Sequence, residues 1–106
     1  MNIYELLVKS RDVFAERGGV KHCLSLRGNV CAVGAINVAD HGSSEWRSNE
    51  ESLDSVIEVC GLLNNQLANS DDGYSIVEFN NEMLTTKDDV LAVYDKAIAA
   101  LEEKVE

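Results

Sequence analysis

The 106-residue sequence contains no proline, and aromatic side chains make up only 6% of it. Because proline interrupts helix hydrogen bonding, its absence leaves every helix interior unbroken. No apolar run approaches the roughly 18–20 residues that span a bilayer, so we expect no membrane segment. The first residues lack the basic and then apolar layout of a signal peptide. Without such a signal, the three cysteines are best explained as reduced thiols of a cytoplasmic protein.

Basic residues are scarce in the second half of the chain. Nine Lys and Arg oppose 19 Asp and Glu, which gives a formal net charge of −10. Residues 1–49 carry six basic and five acidic side chains, whereas residues 50–106 carry three basic and fourteen acidic ones. Such a charge repels phosphate, so we expect no direct binding of nucleic acid. The same charge attracts a basic partner surface.

The length and a hydrophobic content of 45% predict a single compact domain over residues 1–106. Apolar periodicity predicts a mainly α-helical fold, in which about four helices form a small bundle with one short extended element. The first helix covers residues 2–17, with Asn2 as its N-terminal cap. Gly18-Gly19 is predicted to supply a left-handed stop.

Two later segments have the clearest helical patterns. One begins at Ser52 and the other at Thr85 or Thr86, where Thr86 and Asp89 resemble a capping box. Each segment places its apolar residues on one face, which predicts burial of that face. The predicted buried residues are Leu53, Val56, Ile57, Cys60, Leu63 and Leu67 in the first segment, and Val90, Leu91, Tyr94, Ala97, Ile98, Leu101 and Val105 in the second.

Residues 22–36 allow two interpretations. Residues 22–26 alternate weakly, like a strand, and Arg27-Gly28-Asn29 has the composition of a turn. The apolar run that follows, residues 30–39, fits either a central helix or a buried strand. We favour a helix that Asn29 caps and Gly42 ends. A hairpin through Arg27-Gly28-Asn29 is the alternative.

Two polar segments separate the patterned helices. We predict that residues 41–51 form a loop and that residues 74–84 form an extended connector across the core. Such connectors bring aromatic and amide side chains together, where they form either a lid over the core or a small recognition pocket. The candidate ligand-binding residues are Trp46, Tyr74, Phe79, Asn80 and Asn81.

Cys31 is the one candidate nucleophile. It follows Asn29 at the start of the predicted central helix, and a helix N-terminus lowers the pKa of a thiol. His22 is the candidate base. Against catalysis, Cys31 lies in an apolar run, where free cysteine usually packs as a small core residue. We therefore predict no catalytic residue and no enzyme, and keep a thiol enzyme as an alternative.

The histidines and cysteines lack the spacing of a metal site. No Cys-x-x-Cys pair and no His-x-x-x-His pair occurs in the sequence. Adjacent His22 and Cys23 in an extended segment point to opposite faces, so they are poor ligands for one ion. We predict neither a metal site nor a cofactor.

One segment resembles a known family. The run Arg27-Gly28-Asn29-Val30-Cys31-Ala32-Val33-Gly34-Ala35-Ile36 is similar to the Gly-x-x-Cys-x-x-Gly-Ala core of a small uncharacterised family from actinobacteria and their phages. Phe79-Asn80-Asn81 stands where that family has a Trp-Asn-Asp-like connector. The family has no established activity, so the resemblance implies no catalytic residue. It implies a small accessory protein that is often encoded by a phage.

The leading hypothesis is a non-catalytic interaction protein, encoded by a phage, that binds and modulates a host protein with a basic surface. Nucleic-acid mimicry or an anti-defence role is one form of it. The alternative is a protein that sequesters a small molecule such as a nucleotide signal. Unpartnered apolar helix faces would also allow a homodimer. The candidate partner-binding residues are Glu50, Glu51, Asp54, Glu58, Asp71 and Asp72.

Overall fold

The computed structural model describes residues 2–46, 50–67 and 75–105, with only the backbone described at 50–52 and 104–105. The described chain is mainly helical, as predicted, and a two-stranded antiparallel sheet interrupts it. None of the described helices has the length and apolarity needed to cross a membrane. The elements in chain order are α1 (Ile3–Arg17), β1 (Ser25–Leu26), β2 (Asn29–Val30), α2 (Ala32–His41), α3 (Glu50–Asn64), α4 (Ile76–Asn81) and α5 (Lys87–Val105).

Helix α1 begins as predicted. The Oδ1 of Asn2 accepts a hydrogen bond from the amide of Glu5 at 2.8 Å, and the Glu5 carboxylate accepts one from the Asn2 amide, which completes a capping box. The prediction for its end was only partly right. Gly18 is extended (φ −73°), and it is Gly19 (φ 117°) that adopts a positive φ, so the chain leaves the helix before it turns.

The ambiguous segment contains both predicted elements, one after the other. Ser25 pairs with Val30 and Leu26 with Asn29 across a two-residue loop. Arg27 and Gly28 in that loop both have positive φ, as a tight hairpin turn requires. Asn29 is therefore in β2, and the prediction that it caps α2 was wrong. Because the chain remains extended through residue 31, Cys31 becomes the cap, and its Sγ accepts the amide of Gly34 at 3.2 Å.

Helix α2 lies at the centre of the core. Its first six residues are all buried, and the predicted Gly42 ends it in a left-handed conformation. Gly34 allows the helix to approach the hairpin closely, since a Cβ atom there would overlap the carbonyl oxygen of Leu24. Tyr94 of α5 packs against α1 and donates a 2.7 Å hydrogen bond to the carbonyl of Ala32. The apolar run is thus buried because every neighbouring element packs on it.

Two predictions for the second half need correction. Ile57 was predicted to be buried but is 54% exposed, because α3 turns Val56, Val59 and Leu63 towards the core. The described part of the predicted connector, residues 75–84, is not extended: Ser75 caps a short helix, α4, with a 3.4 Å bond from the amide of Glu78. Short-range alternation of apolar residues does not distinguish one and a half helical turns from a strand.

The start of α5 confirms the predicted capping box. The amide of Thr86 donates to Asp89 at 2.9 Å, and the amide of Asp89 donates to Thr86 at 3.2 Å. The predicted buried residues Val90, Tyr94 and Ala97 are buried, together with Val93. Leu91, Ile98 and Leu101 are partly buried at the edge of the core, and the side chain of Val105 lies outside the described residues.

Candidate functional site

A cavity of about 240 Å³ opens where the hairpin, the start of α2, the 42–46 loop and α4 meet. Trp46, Asn80 and Asn81, three of the five predicted ligand residues, lie on its wall. Phe79 does not, because α4 turns it towards Leu67 and Val93 on the other side of the helix. Tyr74 lies outside the described residues. The lining residues are His22, Cys23, Leu24, Cys31, Val33, Trp46, Val77, Asn80 and Asn81.

Asn80 holds the walls of this cavity together. Its side chain is 4% exposed, and its Oδ1 accepts a hydrogen bond from the amide of Ala32 at 3.1 Å. Its Nδ2 donates to the carbonyl of Val20 at 2.9 Å and to the Oδ1 of Asn81 at 3.2 Å. Because both ends of the amide are bonded within the protein, Asn80 positions the site rather than presenting a free group to a ligand.

Asn81 and His22 form the polar edge of the cavity. The Oδ1 of Asn81 accepts the backbone amide of His22 at 2.7 Å, and this bond holds His22 at a φ of 66°. A positive φ in a residue other than glycine is strained and needs support from its surroundings. The histidine ring is exposed and has no hydrogen-bond partner among the described residues.

The loop that carries Trp46 is tied to its neighbours at three points. Asn37 donates to the carbonyl of Ser44 at 3.0 Å, and the Ser44 hydroxyl donates to Ser25 of the hairpin at 2.8 Å. His41 Nε2 donates to the carbonyl of Glu45 at 2.7 Å. These bonds place the Trp46 ring, which is 48% exposed, at the mouth of the cavity.

Cys31 lies at the inner wall of the same cavity. Burial raises the pKa of its thiol and outweighs the lowering effect of the hydrogen bond from Gly34. The lowered pKa that the alternative of a thiol enzyme requires is thus absent, and Cys31, only 8% exposed, packs in the core as predicted. Within the described part of the chain, no three His, Cys, Asp or Glu residues come together to hold a metal ion.

A second surface feature lies at the turn between α4 and α5. The amide of Thr85 donates to the carbonyl of Glu82 at 3.2 Å, which closes a turn with Met83 and Leu84 at its tip. These two side chains are 91% and 89% exposed, more than any other large apolar side chain described. Sequence reasoning did not identify them, because it assigned residues 74–84 to a connector over the core.

Lys21 fixes this turn to the rest of the fold. Its Nζ donates to the carbonyl of Asn80 at 2.9 Å, to that of Thr85 at 2.8 Å and to that of Glu82. All three N–H donors of the ammonium group are therefore hydrogen-bonded, one to the end of α4 and two to the turn. We refer to residues 82–85, held in this way, as the Met83–Leu84 turn.

The predicted partner-binding carboxylates are only partly described. Asp54 and Glu58 are exposed and lie one helical turn apart on α3, with the exposed Ile57 beside them. The side chains of Glu50 and Glu51, and all of Asp71 and Asp72, lie outside the described residues.

Three residues of the Gly-x-x-Cys-x-x-Gly-Ala segment therefore have structural roles. Gly28 supplies a positive φ in the hairpin turn, Cys31 caps α2, and Gly34 allows the hairpin to approach. A family model that includes this segment matches residues 2–100. The chain belongs to a family of unknown function (DUF6197). No curated protein and no solved structure matches it.

The match confirms the resemblance to an uncharacterised family. Ala35, the last residue of the motif, is fully buried in this family member, and Cys31 lies on the inner wall of the cavity, whereas Gly28 is exposed in the hairpin turn. The motif as it stands in this chain specifies a hairpin packed tightly on a helix.

Proposed function

We propose that this protein is a non-catalytic interaction protein, encoded by a phage, that binds a host protein with a basic surface and modulates it. The observation that carries the proposal is the Met83–Leu84 turn. Exposed apolar side chains are common singly, but two adjacent ones that are almost fully exposed at the tip of a turn mark a contact surface.

The turn is preorganised for binding. Lys21 holds the carbonyls of Glu82 and Thr85, so the backbone on both sides of the apolar tip is fixed before any partner arrives. A fixed loop loses little conformational entropy on binding, and more of the apolar contact energy then contributes to affinity. Burial of both side chains in a recess of the partner is worth about 3–6 kcal/mol.

Carboxylates near the turn and on α3 supply the electrostatic part of the proposal. Asp88 and Asp89 follow the turn in the first turn of α5 and are exposed. Asp54 and Glu58 are exposed on α3, a helix without a single basic residue. Such charges attract a basic partner over a distance of about 8–10 Å and raise the association rate, and this attraction weakens with salt.

Mimicry of nucleic acid is one form of this interaction. A host factor for defence or transcription presents Lys and Arg side chains to phosphates, and carboxylates on a helix offer the same charge. In that form, duplex DNA competes with this protein for the partner. The apolar turn would add a contact that DNA lacks and would make the protein the stronger ligand.

The test is capture from a bacterial host lysate on the immobilised protein, followed by binding measurements on the purified pair. We expect one basic partner that elutes at high salt. Met83→Ser with Leu84→Ser should weaken the purified complex at every salt concentration, whereas Asp54→Lys with Glu58→Lys should weaken it several-fold at low salt only. Leu26→Ser, at an exposed apolar residue of the hairpin, is the matched control.

Three results would contradict the proposal. The variant with both Met83→Ser and Leu84→Ser could bind the partner as tightly as the wild type does. No partner could be captured at any salt concentration. A second copy of this chain could occupy the turn, which would show in ultracentrifugation as a dimer that the double variant dissociates.

A further inference from the structure

The cavity beside the hairpin is lined without a single Lys, Arg, Asp or Glu. This is unusual for a chain in which charged residues make up 26% of the sequence. Its walls are the aliphatic side chains of Leu24, Val33 and Val77, and the indole of Trp46 lies at its mouth. Such a lining accepts an uncharged ligand with a flat apolar face.

Three polar groups of the lining are left without a protein partner among the described residues. They are the ring nitrogens of His22, the Nε1 of Trp46 and the Nδ2 of Asn81, whose Oδ1 already accepts two hydrogen bonds. Trp46 and Asn81 offer donors, and a neutral His22 ring offers one donor and one acceptor. A few polar groups around an apolar space are the usual composition of a small-molecule site.

The geometry points to a neutral, planar nitrogen heterocycle as the ligand, of the size and hydrogen-bonding character of a nucleobase. The volume of about 240 Å³ lies just below the range of about 300–1,000 Å³ that holds drug-sized ligands. A nucleobase stacks through its faces and presents ring and exocyclic nitrogens and oxygens at its edge. It would stack on Trp46 and hydrogen-bond to His22 and Asn81.

A phosphate group does not fit this site. No Lys or Arg of the described residues lines the cavity, and Lys21, the residue before His22, already donates to three carbonyls. A dianion would also be repelled by the net charge of −10. The ligand is therefore a base or nucleoside rather than a nucleotide.

The strained backbone at His22 supports the same assignment. Asn81 holds this residue at a positive φ, and His22 thereby lies on the cavity wall while its ring remains unpartnered. Strain of this kind costs about 1–3 kcal/mol and persists where the surroundings enforce it, often at ligand sites. The site goes beyond the proposed partner binding, because the Met83–Leu84 turn contributes no residue to it.

Trp46 makes the test direct, because it is the only tryptophan in the chain. The full-length protein is titrated with adenine, guanine, cytosine, uracil, their nucleosides and the matching 5′-monophosphates. Tryptophan fluorescence and the thermal midpoint are recorded. We expect at least one base or nucleoside to change the fluorescence and raise the midpoint. The matching monophosphate should bind at least about tenfold more weakly.

Asn81→Asp is the decisive variant. It keeps an oxygen that accepts from His22 and Asn80, and it replaces the Nδ2 donor with a second carboxylate oxygen, which adds a negative charge to an uncharged lining. We expect an unchanged unfolding midpoint without ligand and an affinity reduced by about tenfold. Glu78→Gln changes charge on the same short helix outside the cavity and should leave ligand binding intact.

The inference is overturned if no base or nucleoside alters either signal at saturating concentration. It is also overturned if the monophosphate binds as tightly as its nucleoside, or if Asn81→Asp binds as the wild type does. Met83→Ser with Leu84→Ser should bind the heterocycle normally. Failure of the partner-binding proposal and failure of this one are therefore separable.

Discussion

The side-chain amide of Asn80 accepts a hydrogen bond of 3.1 Å from the backbone amide of Ala32, 48 residues earlier in the chain. This bond joins α4 to the first residue of α2. The same side chain donates to Val20, so one buried amide links three separate segments around the cavity. Because a buried polar group must be paired, these contacts fix the position of α4 against α2 and the segment at Val20.

Asn80→Ala should destabilise the fold by about 2–4 kcal/mol, because it leaves the buried amide of Ala32 unpaired and removes the bond to Val20. Urea unfolding followed by circular dichroism measures this loss. Asn65→Ala, at an exposed position just after α3, is the control and should change stability by less than about 0.5 kcal/mol. Equal effects of the two variants would contradict the linking role of Asn80.

Lys21→Met keeps the length of the side chain but removes an ammonium group that bonds to three carbonyls. Hydrogen bonds to charged groups contribute about 1.5–3 kcal/mol, so we expect a loss of that order in the free energy of unfolding. Lys9→Met on the exposed side of α1 is the matched control. Hydrogen exchange of the backbone amides of residues 82–85 should accelerate in the Lys21 variant alone. An unchanged rate would refute the conclusion that Lys21 fixes the Met83–Leu84 turn.

The two helical glycines Gly34 and Gly61 should respond oppositely to alanine. A Cβ at Gly34 overlaps the carbonyl oxygen of Leu24, so Gly34→Ala should cost about 1–3 kcal/mol or more. A Cβ at Gly61 meets nothing within 4 Å, so Gly61→Ala should stabilise α3 by about 0.5–1 kcal/mol. Thermal unfolding of both variants tests the pair, and a neutral Gly34→Ala would contradict the close approach of the hairpin.

The partly buried thiol of Cys60 should make the protein sensitive to alkaline pH. Burial raises its pKa from 9.0 to about 11, so between these values the unfolded chain loses a proton that the folded chain keeps. Stability is therefore complete below pH 9 and falls as the pH rises towards 11. Cys60→Ala should flatten this decline in urea unfolding, although Cys31 and Tyr94, whose pKa values burial also raises, maintain part of it. Cys23→Ala controls for the loss of a thiol outside the core.

The three cysteines should differ in reactivity towards iodoacetamide at neutral pH. Cys23 is exposed, whereas burial hinders access to Cys31 and Cys60 and raises the pKa of each thiol. Mass spectrometry after brief labelling should find Cys23 modified first and the other two modified only after unfolding. If Cys31 reacts as fast as Cys23, the alternative of a thiol enzyme regains support.

Local signals in the sequence were sufficient for several elements. The cap at Asn2, the capping box of Thr86 and Asp89 and the stop at Gly42 were predicted correctly, because each depends on residues within one helical turn. The turn at Arg27-Gly28 was recognised, but only as an alternative to the helix. Both elements fit, since the hairpin uses residues 25–30 and the helix starts at residue 32.

The candidate site was predicted only in part. Trp46, Asn80 and Asn81 were selected because aromatic and amide side chains in a connector suggest recognition, and all three line the cavity. His22 was considered as a catalytic base and as a metal ligand but not as part of a binding pocket, and Val77 was not considered. Nothing local indicates that residue 22 meets residue 81, and Ser75 as a helix cap was the one overlooked signal that could have revealed α4.

The sequence by itself determined the helical class, the main caps and the acidic second half, because periodicity, capping and charge are properties of neighbouring residues. Only the tertiary structure decided which side of α3 is buried, where α4 lies and that Lys21 reaches Thr85, 64 residues away. Those features depend on how separate elements pack. A single lysine or asparagine therefore acquires its role only when the chain has brought its distant partners together.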